Sequence, residues 1–179
     1  MKLQNVRLSF PDIFVPRPFK AGDDPKYKAT FLVEKGSPQA KAIDAAIVEV
    51  AKAKWGAKAE GILKGIRGNA NKFCFQDGET KSYDGYAGMM ALSASNKARP
   101  TVLDRDKTPL TQDDGRPYAG CYVNAVVELF AYENSGNGIS ASLGGIQFVK
   151  DGDAFGGGGV ATADDFDDLA DGADASDLG

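Results

Sequence analysis

Asp104, Asp106 and Thr108 spell D-x-D-x-T, the one arrangement in this 179-residue chain that could run covalent chemistry. In phosphatases of the haloacid dehalogenase type such a pair supplies a nucleophilic carboxylate and a general acid at the end of a parallel strand. There the motif opens a βαβ domain near its N-terminus; here it lies past the middle of the chain, followed by Pro109 and a β pattern without helix-strand alternation. Read as a calcium loop, the stretch puts Pro109 where the sixth position needs Gly, and Gly115 where the twelfth needs a bidentate Glu. A polar turn is the simpler reading, and a carboxylate-metal hydrolase on Asp104 and Asp106 is the least supported function. The chain has no His, and its two Cys are Cys74 and Cys121. This removes His-based nucleophile, zinc and haem systems and any four-thiolate site. The run Gly156 to Gly159 has no Lys-Ser or Lys-Thr after it, so it reads as a linker and not a phosphate loop. We therefore expect no enzyme, no catalytic residue, no metal and no cofactor, with both thiols buried and reduced.

The chemistry that remains is binding. Lys72, Phe73, Phe75, Lys81, Tyr83, Tyr86, Lys97, Arg99, Arg105, Lys107, Arg116, Tyr118 and Tyr122 interleave basic and aromatic side chains at strand ends and loops. Single-stranded nucleic acid asks for this mixture: unpaired bases stack on aromatic faces for roughly 1–3 kcal/mol each, and phosphates meet Lys and Arg with release of counterions. Taken singly each aromatic fits a core as well as a stacking platform; the signal is the clustering. Charge is also split. Residues 1–150 hold all 21 basic side chains and 16 of the 25 acidic ones, a balance of +5, while residues 151–179 hold nine Asp and no base. A mildly basic body with an acidic tail points to an anionic partner for the body and to self-masking or a basic protein partner for the tail.

The elements that must position these residues follow from periodicity. Residues 2–10 alternate as a strand whose core-facing set is Val6, Leu8 and Phe10, and Pro11, Pro16, Pro18, Gly22 and Pro25 then predict a long irregular connection. Lys26 to Lys35 alternates again and shows Lys26 and Lys28 on one face. Ser37 caps a helix that starts at Pro38, carries the apolar stripe Ala40, Ile43, Ile47, Val50, Ala51 and Trp55, and stops at Gly56. A short helix over 57–64 follows, and Trp55 is read as a core anchor. Strands are expected over 72–76, 89–95, 120–133 and 139–150, with N-S-G-N-G at 134–138 as a hairpin turn. The strand at 120–133 puts Cys121, Val123, Ala125, Val127, Leu129 and Ala131 on one face, and Tyr122, Asn124, Val126, Glu128, Phe130 and Tyr132 on the other. Uneven strands, one long helix and long loops predict a mainly β protein, a small closed barrel with one packed helix. No run approaches the roughly 20 apolar residues a membrane-spanning helix needs, and a soluble, intracellular protein is expected.

From about residue 152 the chain is too acidic and too poor in apolar residues to fold alone, and it is expected to be a disordered tail. Phe166 and Leu169 stand among Asp164, Asp165, Asp167 and Asp168, an acidic-hydrophobic mixture suited to docking a partner.

The segments DPKYKATFLVEK, SNKARPTVLDRD, GRPYAGCYVNAVVELFAY and GISASLGGIQFVKDGDAFGG resemble the small phage family of single-stranded DNA-binding proteins, related in architecture to the podovirus replication proteins of that function. PYAGCYVNA with the strand after it is the most specific part of a resemblance that covers most of residues 1–160. It implies a modified OB-fold barrel over 1–151, a disordered Gly/Asp-rich tail over 152–179, and sequence-independent protection of single strands in phage DNA replication or recombination, in the cytoplasm of the infected host. The matching segments carry over Lys97, Arg99, Arg105, Tyr118 and Tyr122. With the residue reading added, the expected stacking set is Tyr118, Tyr122, Phe75, Tyr83 and Tyr86, with Tyr118 first. The expected phosphate contacts are Arg99, Lys97, Lys72, Lys81, Arg105 and Arg116. Asp164, Asp165, Phe166, Asp167, Asp168 and Leu169 are the expected docking segment for a replication polymerase, helicase or primase. Proteins of this type often end in a terminal Phe; this chain ends in Asp177, Leu178 and Gly179, so Phe166 would have to substitute. The alternative is a structural or protein-interaction β-domain of a phage that does not bind nucleic acid.

Overall fold

The computed structural model describes residues 1–156, 166, 167 and 169. Seven strands and two α-helices follow in the order β1 (Lys2–Arg17), β2 (Lys26–Glu34), α1 (Pro38–Trp55), α2 (Ala59–Ile66), β3 (Phe75–Asp77), β4 (Met89–Asn96), β5 (Thr101–Leu103), β6 (Tyr122–Tyr132) and β7 (Gly138–Lys150). Antiparallel pairing runs β4-β2-β1-β6-β7, and a parallel contact between Ser95 and Ser142 joins β7 back to β4. Five strands thus close into a barrel, which leaves no open edge between them. The short β3 lies along the first half of β4, on the same edge that β7 meets further along, and β5 extends the sheet beyond β7.

The first strand is longer than its sequence pattern predicts. It continues through the prolines to Arg17, which pairs with Lys26. Three register shifts make this possible: one between Asp12 and Arg17 against β2, and two bulges, between Leu3 and Val6 against β6 and between Ser9 and Asp12 against β2. Asn5 and Phe10 sit in these bulges with φ of 52° and 45°. Each bulge turns the side-chain alternation over. Leu3, Val6, Leu8 and Ile13 point into the core, while Phe10, expected inside, is 54% exposed. Pro11 lies in the second bulge, where a missing N–H costs no ladder bond.

The expected helix forms as read. Ser37 accepts a hydrogen bond from the Ala40 N–H at 3.2 Å, Pro38 occupies the first turn, and Gly56 ends the helix at φ 57°. Its stripe of Ala40, Ile43, Ile47, Ala51 and Trp55 is buried in the single large cluster that β1, β2, β4, β6 and β7 also fill, and Trp55 is a core anchor. The second helix begins at Ala59, after one 3-10 turn. Alternation along β6 is as expected, with Cys121, Val123, Ala125, Val127 and Leu129 buried. The D-x-D-x-T stretch is a turn: Asp106 Oδ1 accepts from Thr108 N at 3.0 Å, and Asp104 N donates to Thr108 O at 2.8 Å. No helix of the described residues is long and apolar enough to cross a membrane.

Ile47 is fully buried between helix and barrel, so Ile47→Ala should lower stability by about 2–5 kcal/mol, read as a shift of the urea midpoint with an unchanged slope. Burial pushes the Cys74 thiol up to about 12 and raises that of Cys121. At pH 8 the native protein should therefore react with iodoacetamide at least ~100-fold more slowly than the urea-unfolded chain.

Candidate nucleic-acid interface

The outer faces of β2 and β4 carry short polar side chains, because their inner faces are committed to the core. Thr30 and Ser93 sit side by side, with hydroxyls 3.3 Å apart, and Ser95 and Ser140 continue the row. These form part of the floor of a groove of about 600 Å³. Its walls are basic and aromatic. Lys28, Lys72 and Lys81 line it together with Phe10, Phe19, Tyr83, Tyr86 and Tyr132. At Phe19, Lys28 and Ser95 the groove runs on into a second cleft of about 520 Å³, bordered by Arg17, Lys26 and Lys97. The two together make a continuous track.

Aromatic exposure along the track is uneven in a useful way. Phe19 is 78% exposed, with the Lys28 ammonium 5.5 Å from its ring centre. Phe10 and Tyr83 form an edge-to-face pair at 4.8 Å, each about half exposed. Tyr86 packs beneath them at 5.2 Å from Tyr83 and is only 3% exposed. Its hydroxyl lies 2.9 Å from the Ser9 hydroxyl, and burial raises its pKa above the ordinary phenol value. Tyr86 therefore supports the ring above it and offers no face of its own.

Charge in the track is partly tied down. Asp12 pairs with Arg17 at 3.2 Å, Asp24 with Lys97 at 3.1 Å, and Asp77 with Lys35 at 2.7 Å, the last contact holding the Asp77 carboxyl below its usual range. Lys72 donates to the Ser135 carbonyl. Among the described residues, Lys26, Lys28 and Lys81 have no carboxylate partner. They are the cations most available to an incoming anion.

The residues singled out from sequence divide between two regions. Lys72, Lys81, Tyr83, Tyr86 and Lys97 lie on the track, and the exposed Arg99 follows Lys97 in the same loop. Phe75 does not: it points into the core at 2% exposure, because alternation in this short segment places both Phe73 and Phe75 inside. Arg105, Arg116, Tyr118 and Tyr122 gather elsewhere and are engaged with the protein. Arg116 binds the Asp104 carboxylate at 2.6 Å and holds it below the usual carboxylate range. Arg105 Nε donates to the Val149 carbonyl. The Tyr118 hydroxyl donates to Asp151 at 2.7 Å and accepts from Gly152 N at 3.2 Å. Tyr122 is half-buried, with Lys150 at 4.8 Å and Arg7 at 5.8 Å from its ring centre.

Phe10, Phe19, Arg17 and Tyr132 belong to the track and were not in the expected site, and Lys26 and Lys28 were noted only as a lysine face. Pro11 inside an apolar alternation was the available signal for Phe10, since proline within a strand marks a bulge. Of the expected docking segment, Phe166, Asp167 and Leu169 are exposed, and Asp164, Asp165 and Asp168 lie outside the described residues, as does most of the expected disordered tail. The body itself reaches Gly156: Phe155 packs on Tyr86 and Leu32, beyond the expected boundary at 151.

The family described as the single-stranded DNA-binding protein of Enterobacter phage Enc34 matches residues 1–177. Protein p50 of Acyrthosiphon pisum secondary endosymbiont phage 1 is 54% identical over 172 residues, spanning 95% of this chain and 94% of its own. The single-stranded DNA-binding protein from bacteriophage Enc34, solved in complex with ssDNA, matches with a TM-score of 0.73 at 28% identity, over 87% of this chain and 88% of that one. Gp2.5, a single-stranded DNA-binding protein encoded by bacteriophage T7, matches with a TM-score of 0.56 at 13% identity, over 97% of this chain and 96% of that one, a likeness of fold alone.

Proposed function

The chain belongs to the phage Enc34 single-stranded DNA-binding protein family, and from that premise we propose that it coats single-stranded DNA without sequence preference along the β2/β4 track. The observation that carries the assignment to this face is the coincidence, over a polar floor, of exposed rings and lysines that have no carboxylate partner among the described residues. Phe19, Phe10 and Tyr83 supply stacking surfaces, and Lys26, Lys28 and Lys81 meet phosphates, joined by Lys72, Lys97 and Arg99. Stacking is indifferent to base identity because every base has a π-face. The floor hydroxyls of Thr30 and Ser93 can each donate or accept, so they do not select one base edge over another. Arg105, Arg116 and Tyr118 spend their polar groups on the protein, so the track is the stronger choice of surface.

The acidic segment acts on this same face. Gly156, from which it continues, lines a cleft with Phe10 and Tyr83, so the seven Asp between 157 and 179 start at the lip of the groove. Within a Debye length of about 8 Å at physiological salt, those charges compete with phosphate for the lysines. When DNA fills the groove, the segment from Asp164 to Leu169, with Phe166 and Leu169 as its apolar anchors, is released to dock replication proteins such as a polymerase, helicase or primase. The setting is the cytoplasm of the infected host, where single strands are exposed during phage DNA replication and recombination.

Fluorescence anisotropy of labelled oligo-dT over a salt series, with duplex DNA as competitor, tests the reading. Tyr83→Ala and Phe19→Ala should each weaken binding by about 5- to 150-fold, the worth of one stacked base. Lys28→Ala should flatten the slope of log affinity against log salt by about 0.7, as expected for one lost contact to a single strand, while Arg105→Ala leaves that slope unchanged. Binding that survives Tyr83→Ala, Phe19→Ala and Lys28→Ala together would move the site off this face.

A chain ending at Gly156 should bind oligo-dT more tightly than the full chain, and the gap should close as salt rises. Equal affinity at low salt would remove the self-masking role. The cut belongs after Gly156, since ending the chain at Asp151 also deletes Phe155.

A further inference from the structure

The segment Asp151–Gly156 forms no regular element, yet it is tied to the body at nearly every residue. Tyr118 holds its start through the Asp151 carboxylate and the Gly152 N–H. Arg7 reaches across from β1: Nη2 donates to the Asp153 carbonyl at 2.7 Å and Nε to the Gly120 carbonyl at 3.0 Å, while the guanidinium stacks 4.3 Å from the Phe155 ring centre. Phe155 N donates to the Ala119 carbonyl at 3.0 Å, and Gly156 N donates to Asp84 at 3.2 Å. At Gly120 and Gly85 the backbone adopts positive φ with no room for a side chain: a Cβ on Gly120 would strike the Asp153 carbonyl, and one on Gly85 would sit 2.5 Å from the Phe155 ring. Two places in the body are thus shaped to admit this strap.

What the strap touches matters for binding. Phe155 packs with Leu32, Tyr86 and Ala91 in a small cluster separate from the main core. Tyr86 is the floor on which Tyr83 and Phe10 rest, and Gly85 and Asp84 adjoin Tyr83 in the same loop. That loop, 81–88, has no strand or helix of its own to fix it. Its base is held by Lys35 on Asp77 and by Glu79, which accepts from Gly88 N at 2.7 Å. Its tip is held by the strap.

We propose that Phe155 is a positioning residue for the single-stranded DNA site: through Tyr86 and Gly85 it fixes the loop that presents Tyr83 beside Phe10, so that the root of the acidic segment and the stacking face form one unit. This rests on the β2/β4 track being the DNA surface. Phe155 carries no charge and is half-buried on Tyr86 at the edge of the cleft that Phe10 and Tyr83 also line, so coupling to Tyr83 is what separates positioning from direct contact with DNA.

The test is a double-mutant cycle in the full chain, read by oligo-dT anisotropy. Phe155→Ala should weaken binding about 10-fold while leaving the salt slope unchanged, and Phe155→Leu should restore most of the loss. In the Tyr83→Ala background, Phe155→Ala should add less than about twofold, because the ring it positions is gone. Amide exchange in 81–88 should quicken in Phe155→Ala with the barrel strands unaffected, which separates a local effect from partial unfolding. Wild-type affinity in Phe155→Ala, alongside weakened binding in Tyr83→Ala, would overturn the positioning role and spare the track. Full additivity of the two substitutions would also overturn it. If Tyr83→Ala itself binds as the wild type, Tyr83 is no stacking ring and this proposal falls, while the track reading is decided by the triple substitution of Tyr83, Phe19 and Lys28.

Discussion

A five-stranded sheet closes on itself only if some strand can pair on both edges while turning a corner, and here β1 carries that burden. Sixteen residues long, it pairs with β2 along one edge and β6 along the other, and it bends at bulges around Asn5 and Phe10. Both residues take left-handed backbone angles that non-glycine residues adopt at a cost. Asn5 recovers part of it: its N–H, freed from the ladder, donates to the Asn124 side chain at 2.9 Å. At Phe10 the reversal throws a large apolar ring into solvent beside Tyr83. The bend that lets β1 pair on both edges is the same one that puts an aromatic on the surface, so barrel closure and the exposed Phe10 ring are consequences of one backbone path.

Two basic regions emerge from this frame, and the groups that neutralise them tell them apart. Around Asp104 and Asp151, arginine and tyrosine side chains close short contacts to carboxylates and main-chain carbonyls, and they pin loops and the strap to the barrel. Over the serine and threonine of β2 and β4 stand lysines from β2 itself, Lys26 and Lys28, and from flanking loops, Lys72 and Lys81. An ammonium on a flexible stem there keeps its hydration until a phosphate arrives, and it can follow an irregular backbone better than a fixed guanidinium fork. This difference between the arginines around Asp104 and the lysines of the track is one that the charge count of the body, at +5, does not reveal.

Much of the frame was legible because it obeys simple periods. The α1 stripe, the Ser37 cap and the alternation of β6 each follow from local spacing, and the structure places them as read. The departures share a cause. Alternation assumes an unbroken ladder, so it assigned Phe10 to the core and ended β1 at Pro11; two bulges invalidate that assumption, and only the proline hinted at them. Phe75 obeys alternation and was nevertheless chosen as a stacking ring, because composition cannot say which side of a three-residue strand faces the core. Tyr118, near a loop end, and Tyr122, at the start of the strongest strand, read as stacking rings from sequence. Their surroundings depend on Asp151–Gly156 folding back over them, a contact spanning more than 30 residues that no local pattern encodes.

That fold-back also bears on how a short acidic segment can influence a binding face at all. A freely hinged tail spreads its charge over a large volume, and its effective concentration at any one site falls steeply with linker length. Anchoring the root shortens the linker. Because Arg7, Tyr118 and Asp84 hold the chain as far as Gly156, the first Asp beyond it, Asp164, is eight residues from a fixed point at the groove lip. An attachment at Lys150, with no strap, would lengthen the reach and dilute the charge. On the proposed reading, the ties that hold the 81–88 loop also fix where the acidic segment leaves the body, and a sequence change in 151–156 would alter both together.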